Sequence, residues 1–290
     1  MDILRLLPGT HGFPSQLAEI PDPPKALYVR GCLPPPGKPA LAIVGTRRAT
    51  PAGKALAREF ARALAGRSFS IISGLAFGID AAAHEGALEA GGHTIAVLPC
   101  GLDHVYPRSN VRLAEQILKS GGALVSEYPP GTEPLPYRFL ERNRLVSGLA
   151  RGVLVIEAPE RSGALVTARL AAEQGRDCFI VPGPVGHPNY VGSHELIRKG
   201  AELVAKVDHI LEAYGMLEEA GNGAAMYREI ENLSVEEKMI FDAVQKSQGP
   251  LEVDKLIEAS KLQPQAVNIA ISFLLMKGVI KETPGGYLKA

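Results

Sequence analysis

A chain of 290 residues is long enough for one large core and a small accessory domain. With 46% hydrophobic and 21% charged residues it is not wholly disordered, and its formal net charge of zero means that affinity for a polyanion has to come from the placement of charge. Cys32, Cys100 and Cys178 are scattered and share no ligand spacing, which fits reduced thiols and speaks against structural zinc.

The opening MDILRLLPGTHGFP is interrupted by Pro8 and Gly9, unlike a signal peptide. No apolar run approaches the roughly 20 residues of a membrane helix. A cytoplasmic protein that does not engage a membrane is the expectation. Residues 1–39 read as a proline-rich extension with room for a short helix and a strand such as Ala26–Arg30, and Pro34–Pro36 as a stiff connector.

From residue 40 a regular alternation begins. Apolar, β-branched runs occur at Leu41–Val44, Ser70–Ile72, Thr94–Leu98, Ala123–Ser126, Val153–Glu157, Cys178–Val181 and Glu202–Val204. They lack the in-out alternation of a half-exposed sheet, as strands covered on both faces should. Helix-period segments lie between them, at Lys54–Ala65, Ile79–Ala90, Val111–Lys119, Glu141–Leu149, Ala164–Gln174, His194–Arg198 and Val207–Tyr214. The alternation predicts a Rossmann-like, doubly wound, mostly parallel α/β sheet over 40–215, with the strand order left open.

Residues 216–229, which include LEEAGNGAAMY, read as a linker. In 230–290 the rhythm changes. Ser234 and Glu237 form a capping-box pair before VEEKMIFDAVQKS; two further helical segments and a Gly-Gly hairpin complete a winged-helix pattern. This part holds 7 Lys and 8 acidic residues, and its third helix, Gln263–Lys277, offers Gln263, Gln265, Asn268 and Ser272 outward with little charge. Duplex binding needs several phosphate contacts, so a protein partner is expected in preference to DNA.

Ligands of an open α/β sheet bind beyond the carboxyl ends of its strands. Five loops occupy that position. The first, Gly45-Thr46-Arg47-Arg48 through Gly53-Lys54, resembles a Walker A loop but has too long a gap and Ala55 where a Ser or Thr would hold magnesium. Its alternatives are a phosphate-compatible turn carrying Arg47 and an ordinary βα turn.

The second, Ser73-Gly74-Leu75-Ala76-Phe77-Gly78, is a weak dinucleotide fingerprint on the wrong strand. Asp80 and His84 follow one helical turn apart, as a metal or acid–base pair or, in the reading preferred here, as structural hydrogen-bonding groups. The third carries Cys100, read as a packed thiol, with Tyr106 and Arg108 ahead of a helix.

In the fourth, Arg138, Arg142 and Arg144 are interleaved with Tyr137 and Phe139, the composition of a platform for single-stranded nucleic acid. The fifth puts Ser162 and Gly163 at a helix start. The segment 40–215 holds 15 Arg and 4 Lys against 17 acids, and arginine suits bidentate contact with phosphate. No HExxH, GxSxG, EF-hand or metal-spaced Cys/His set is present, so no catalytic group, metal or cofactor is expected.

Taken together, VGTRRATPAG, SGLAFGIDAAAH, VLPCGLDHVYPRSN, SEYPPGTEP, FLERNRLVSGL, VIEAPERSGALVTARLAAEQGRD, VPGP and GSHELIRKGA resemble, in order, the motifs of the DNA-processing protein A (DprA, or Smf) family. The resemblance implies a dimeric, single-stranded-DNA-binding recombination mediator, not an enzyme, that protects incoming DNA in natural transformation (competence) and loads the RecA recombinase. It implies a DNA site comprising Gly45, Thr46, Arg47, Ser73, Gly74, Arg108, Arg138, Phe139, Arg142, Asn143, Arg144, Ser162, Gly163 and Lys199, with dimer and RecA contacts near Ser193–Tyr214. The competing enzymatic reading is a lysine-decarboxylase-like nucleotide phosphoribohydrolase. Its PGGxGTxxE loop would fall on 159–167, where Thr167 stands in place of the catalytic Glu.

Overall fold

Residues 40–44, ALAIV, bring no polar side chain and are buried throughout, so their backbone N–H and C=O groups can be satisfied only inside a sheet. In the computed structural model of the protein, which describes residues 2–216, 233–247, 249–276, 279–283 and 285–289, this run is β3 (Ala40–Val44), the middle one of seven parallel strands in a nine-stranded sheet. The described residues fall into two compact units, Met1–Ile210 and Leu211–Ala290.

In chain order the first unit comprises β1 (Ile3–Leu6), α1 (Ser15–Ala18), β2 (Leu27–Gly31), β3, α2 (Pro51–Ala65), β4 (Ser70–Ser73), α3 (Ile79–Glu89) and β5 (Thr94–Val97). It continues through a 3-10 turn at Arg108–Asn110, α4 (Val111–Lys119), β6 (Ala123–Ser126), α5 (Pro136–Gly148), β7 (Gly152–Val155), α6 (Gly163–Glu173) and β8 (Asp177–Ile180). A second 3-10 turn (Pro188–Tyr190), α7 (Val191–Arg198) and β9 (Glu202–Leu203) lead into α8 (Val207–Ala213).

All seven strands expected from the apolar runs are present, and they are mutually parallel. The spatial order is β1-β2-β6-β5-β4-β3-β7-β8-β9. From β3 the chain therefore winds outward through β4, β5 and β6, then returns to the other side of β3 with β7. Right-handed crossovers require the two halves to put their helices on opposite faces. Accordingly α4 packs with Ala96, Leu98 and Leu124 on one face. On the other, α5 and α6 pack Leu145, Val146, Leu149, Ala164, Ala168 and Ala171 against Ala42, Val44, Val153 and Val155.

The first 39 residues extend this sheet. β2 pairs antiparallel with β6, and β1 with β2, while Leu17 and Ile20 enter the core beside α5. Strand β1 escaped the sequence reading because four residues with two exposed positions carry too little apolar signal.

Two helices start earlier than their periodicity implies, each at a proline. Helix α2 begins at Pro51, capped by Thr50, whose hydroxyl accepts from Gly53 N at 2.9 Å. Helix α5 begins at Pro136 instead of Glu141. Both prolines occupy the first turn, where their missing N–H costs nothing.

In the second unit, α9 (Val235–Lys246), α10 (Val253–Ser260), α11 (Pro264–Met276) and the hairpin β10 (Ile280–Thr283)–β11 (Gly286–Lys289) give the winged-helix arrangement. The capping box is formed: Glu237 N donates to Ser234 Oγ at 3.2 Å and Ser234 N to Glu237 Oε2 at 2.7 Å. Ile240, Leu256, Val267, Leu274 and Ile280 form its core. Of the expected linker 216–229, residues 217–229 lie outside the described residues.

Candidate nucleic-acid interface

Because β3 and β7 are adjacent while their following connections run to opposite faces, the loops after them part, and a crevice opens at the carboxyl edge of the sheet. A cavity of about 400 Å³ lies there. Gly45, Thr46, Arg47, Arg48, Gly74, Asp80, Phe139, Arg142, Asn143, Arg161, Ser162 and Gly163 line it. Nine of the fourteen residues of the expected DNA site are thus brought to one place: Gly45, Thr46, Arg47, Gly74, Phe139, Arg142, Asn143, Ser162 and Gly163. Arg48 and Arg161 add two cations that the sequence reading did not select.

The first wall is the turn after β3. Thr46 N donates to the carbonyl of Glu157 at 2.8 Å, and Arg48 N to Thr46 Oγ1 at 3.2 Å. Behind it the fully buried carboxylate of Glu157 accepts from Thr50 N at 3.0 Å, Asn189 Nδ2 at 2.8 Å and Tyr190 Oη at 3.3 Å, and also from the Thr50 hydroxyl. One acid thereby fixes the start of α2, the arginine turn and the loop before α7. An acid closing an apolar strand run was its only mark in the sequence.

Gly78, at φ +79°, packs against this turn, where a Cβ would run into the carbonyl oxygens of Thr46 and Arg47.

The floor is Arg142, 4% exposed. Its Nη1 donates to the carbonyl of Gly74 at 2.7 Å and to that of Val97, and its Nε to Asn143 Oδ1 at 3.3 Å. A Cβ at Gly74 would meet the guanidinium, so the bare glycine gives Arg142 its place. Nη2 has no protein acceptor among the described residues and is left for the cavity. Burial lowers the pKa of Arg142 to about 10, with the Asp80 charge opposing the shift, so the group remains a cation at neutral pH.

Asp80, in the first turn of α3, accepts from Gly74 N at 3.1 Å and Ala76 N at 3.3 Å; burial raises its pKa against the pull of Arg142. His84 meets Thr94 Oγ1 at 2.7 Å. The one hydroxyl hydrogen of Thr94 is spent on Ile71 O, so Nδ1 is the donor and Nε2 the bare, unpartnered nitrogen. Burial holds His84 down to about 3. Both side chains are engaged in hydrogen bonds within the unit.

At the rim the Arg47 guanidinium lies 5.0 Å over the ring of Phe139, and Tyr106 meets the same ring edge-on at 5.4 Å. Ser162 caps α6, its Oγ accepting from Ala164 N at 3.2 Å while its carbonyl accepts from Leu165 N at 3.1 Å, so the first turn of α6 on the cavity wall beside Gly163 is held by this one residue.

Five expected residues lie elsewhere. Ser73 is fully buried and its hydroxyl donates to Ile43 O at 2.6 Å, joining β4 to β3. Arg108 is exposed on the 3-10 turn before α4. Arg138 is engaged by Glu133 O and lies 5.1 Å over Tyr128 and 5.5 Å over Tyr137, outside the cavity wall. Arg144 is paired with Glu127 and, at 2.9 Å, with Asp22. Lys199 caps the carboxyl end of α7, next to the start of β9 and therefore at the opposite edge of the sheet.

Two groups weighed as reactive in the sequence are placed as follows. Burial raises the Cys100 thiol to about 11, disfavouring its thiolate. Thr167 donates to Gly163 O at 3.2 Å within its own helix, which leaves no acid where the phosphoribohydrolase reading requires one. Among the described residues no cluster of three or more His, Cys, Asp or Glu is placed to hold a metal, and no helix is long and apolar enough to cross a membrane.

A doubly wound α/β unit with arginines and a ring at its switch-point crevice has the architecture on which phosphate-bearing ligands are commonly held. Within that architecture the family is specific. Residues 5–215 match the model of the DNA recombination-mediator protein A family and residues 224–286 that of the DprA winged helix domain, so the chain belongs to the DNA recombination-mediator protein A family.

Protein Smf of Escherichia coli is 41% identical over 289 residues, which span 98% of this chain and 77% of that protein. A putative DNA processing protein DprA of Mycobacterium tuberculosis is 41% identical over 241 residues, 83% of this chain and 61% of that one. Among solved structures, DprA of Streptococcus pneumoniae superimposes with a TM-score of 0.69 at 40% identity, over 73% of this chain and 74% of that one. DNA processing protein A of Helicobacter pylori, described for its single-stranded-DNA binding mode, gives 0.65 at 32% identity, over 74% and 96%.

Proposed function

We propose that this protein is a single-stranded-DNA-binding recombination mediator whose switch-point cavity holds the DNA backbone. The observation that carries the reading is the Arg47–Phe139 pair set above the buried Arg142 cation: a phosphate and a base of one nucleotide find complementary groups side by side. The single-stranded-DNA binding described for the Helicobacter pylori relative supports the assignment. Asp80 is engaged by the Gly74 and Ala76 amides and Ser162 by its own helix start, which favours holding a strand over cleaving one. Exposed Arg108 and half-buried Arg138 extend the basic rim in this reading.

Its finer parts follow from family membership: action in the cytoplasm on DNA taken up in natural transformation, delivery of that DNA to RecA, and a homodimer formed through the region 193–214. Lys199, on the far edge of the sheet, fits that second surface better than the DNA cavity.

Arg47→Ala tests the core of the reading. It should weaken oligo-dT binding by about 1–3 kcal/mol, the range for a lost charge-assisted contact. The slope of log K against log salt should fall by roughly 0.7, the value for one single-strand phosphate. The far-UV spectrum should be unchanged. Wild-type affinity and slope at moderate salt would overturn it.

A further inference from the structure

The turn that packs against Thr46–Arg47 presents a ring that the core does not use. Phe77 is 49% exposed, whereas Phe60, Phe69 and Phe179 of the same unit are buried. Among the described residues of that unit it is the one exposed phenylalanine. It lines a cleft of about 450 Å³ between α2 and α3, together with Lys54, Arg58, Ala81, Ala82 and Glu85.

The cleft is continuous with the candidate interface through the backbone. Gly78 lies on the Thr46 and Arg47 carbonyls, and Ile79 N donates to Thr46 O at 3.4 Å. The edge of the sheet thus presents a ring at Phe139, a cation at Arg47 over it, a second ring at Phe77 and a second cation at Lys54.

The charges of the cleft are unequal. Arg58 is engaged by Glu85 and, at 3.3 Å, by Glu89. Lys54, exposed in the first turn of α2, forms no ion pair among the described residues. A polyanion is therefore drawn to the Phe77–Lys54 side and kept from the deeper part, where Glu85 stands. An exposed ring next to an unpaired cation is the arrangement that stacks a base and meets its phosphate.

We propose that the α2–α3 cleft is a second nucleotide subsite, in which Phe77 stacks a base and Lys54 meets a phosphate of the strand held at Arg47 and Phe139. This rests on the single-strand reading of the first cavity. The subsite takes any base, since stacking needs only a π-face, and it lengthens the bound segment beyond what the cavity accommodates.

The test is fluorescence anisotropy with oligo-dT of about six and about fifteen nucleotides, lengths that bracket the usual site sizes, on the full chain carrying Phe77→Ala, Phe77→Trp, Lys54→Gln or Arg47→Ala. Phe77→Ala should weaken the longer oligomer roughly tenfold and the shorter by less than about twofold. Phe77→Trp should restore the longer one, and Lys54→Gln should lower the salt slope for the longer alone. Thermal melting should be unchanged, as the ring is half in solvent.

If Arg47→Ala weakens both oligomers while Phe77→Ala weakens neither, or weakens both equally, the second subsite is refuted and the cavity reading stands. If Arg47→Ala weakens neither, the cavity reading itself falls.

Discussion

Arg142→Met keeps the length and apolar stem of a side chain that is almost fully buried and removes only its guanidinium. The carbonyls of Gly74 and Val97 then lose their donor, and the buried carboxylate of Asp80 loses the positive charge that favours its ionised form. Each buried acceptor left without its donor costs about 1–3 kcal/mol, so the two carbonyls together with the uncompensated carboxylate give about 3–5 kcal/mol. The Asp80 share alone is bounded by the alternative open to that carboxylate, which can take up a proton. Protonating a carboxyl of ordinary pKa near 4 at pH 7 costs about 4 kcal/mol. A loss of 3–5 kcal/mol is a large part of the 5–15 kcal/mol typical of a domain.

The pH dependence is opposite in sign to ordinary acid lability. In the variant, folded Asp80 has a raised pKa and binds its proton more readily than the unfolded chain. That deficit is greatest at high pH and shrinks as pH falls toward the unfolded value, by at most about 1.4 kcal/mol per unit. Urea unfolding followed by far-UV circular dichroism at pH 7 and pH 5 reads both quantities. Asp80→Asn combined with Arg142→Met should cost less than the two single changes added together. A single-variant loss below about 1 kcal/mol, or strict additivity, refutes this account of the cavity floor.

His84, held down to about 3 by burial, gives a second pH signature. The unfolded chain takes up the imidazole proton near pH 6.5 and the folded chain does not, so this contribution is complete above that pH and is lost as pH falls toward 3. The stability difference between wild type and His84→Gln should change by roughly 2 kcal/mol between pH 7 and 4.5 in urea titrations; parallel profiles contradict it. Arg144→Ala, which breaks the pair with half-buried Glu127, should lower stability by about 2 kcal/mol yet leave oligo-dT affinity within twofold of wild type in a gel shift. A loss of affinity like that expected of Arg47→Ala would place Arg144 in the DNA path after all.

The parallel core was legible because strands covered on both faces leave an unmistakable apolar trace, and ALAIV, TIAV and GVLV could hardly be anything else. Their order was not, because a strand buried on both faces carries no mark of which neighbour it has. The arginine-rich stretch shows a finer limit. Composition made Arg138, Arg142 and Arg144 equivalent, whereas α5 separates them: positions two apart are turned by roughly 200° about the axis, so Arg142 enters the cavity while Arg144 leaves toward Asp22 and Glu127. Helix periodicity applied to 138–144 would have made that division. Lys199 could likewise have been assigned to the far edge, since a residue between a helix and the next parallel strand lies at the amino ends. Glu157 was beyond reach, because its three main partners come from residues 50, 189 and 190 and meet only in the fold.

The seam between β3 and β7 also bears on when the protein becomes competent. Leu41 pairs with Gly152, so the two walls of the cavity come from stretches of chain made far apart in time. A nascent chain emerging from the ribosome can assemble β3 through β6 and carry the arginine turn, but the opposing Ser162–Gly163 wall does not yet exist. Closing so long a loop is slow relative to local helix formation. The half-made unit accordingly exposes one flank of β3, its central strand, as an open edge until β7 arrives, and that interval is when the growing polypeptide is most exposed to mispairing.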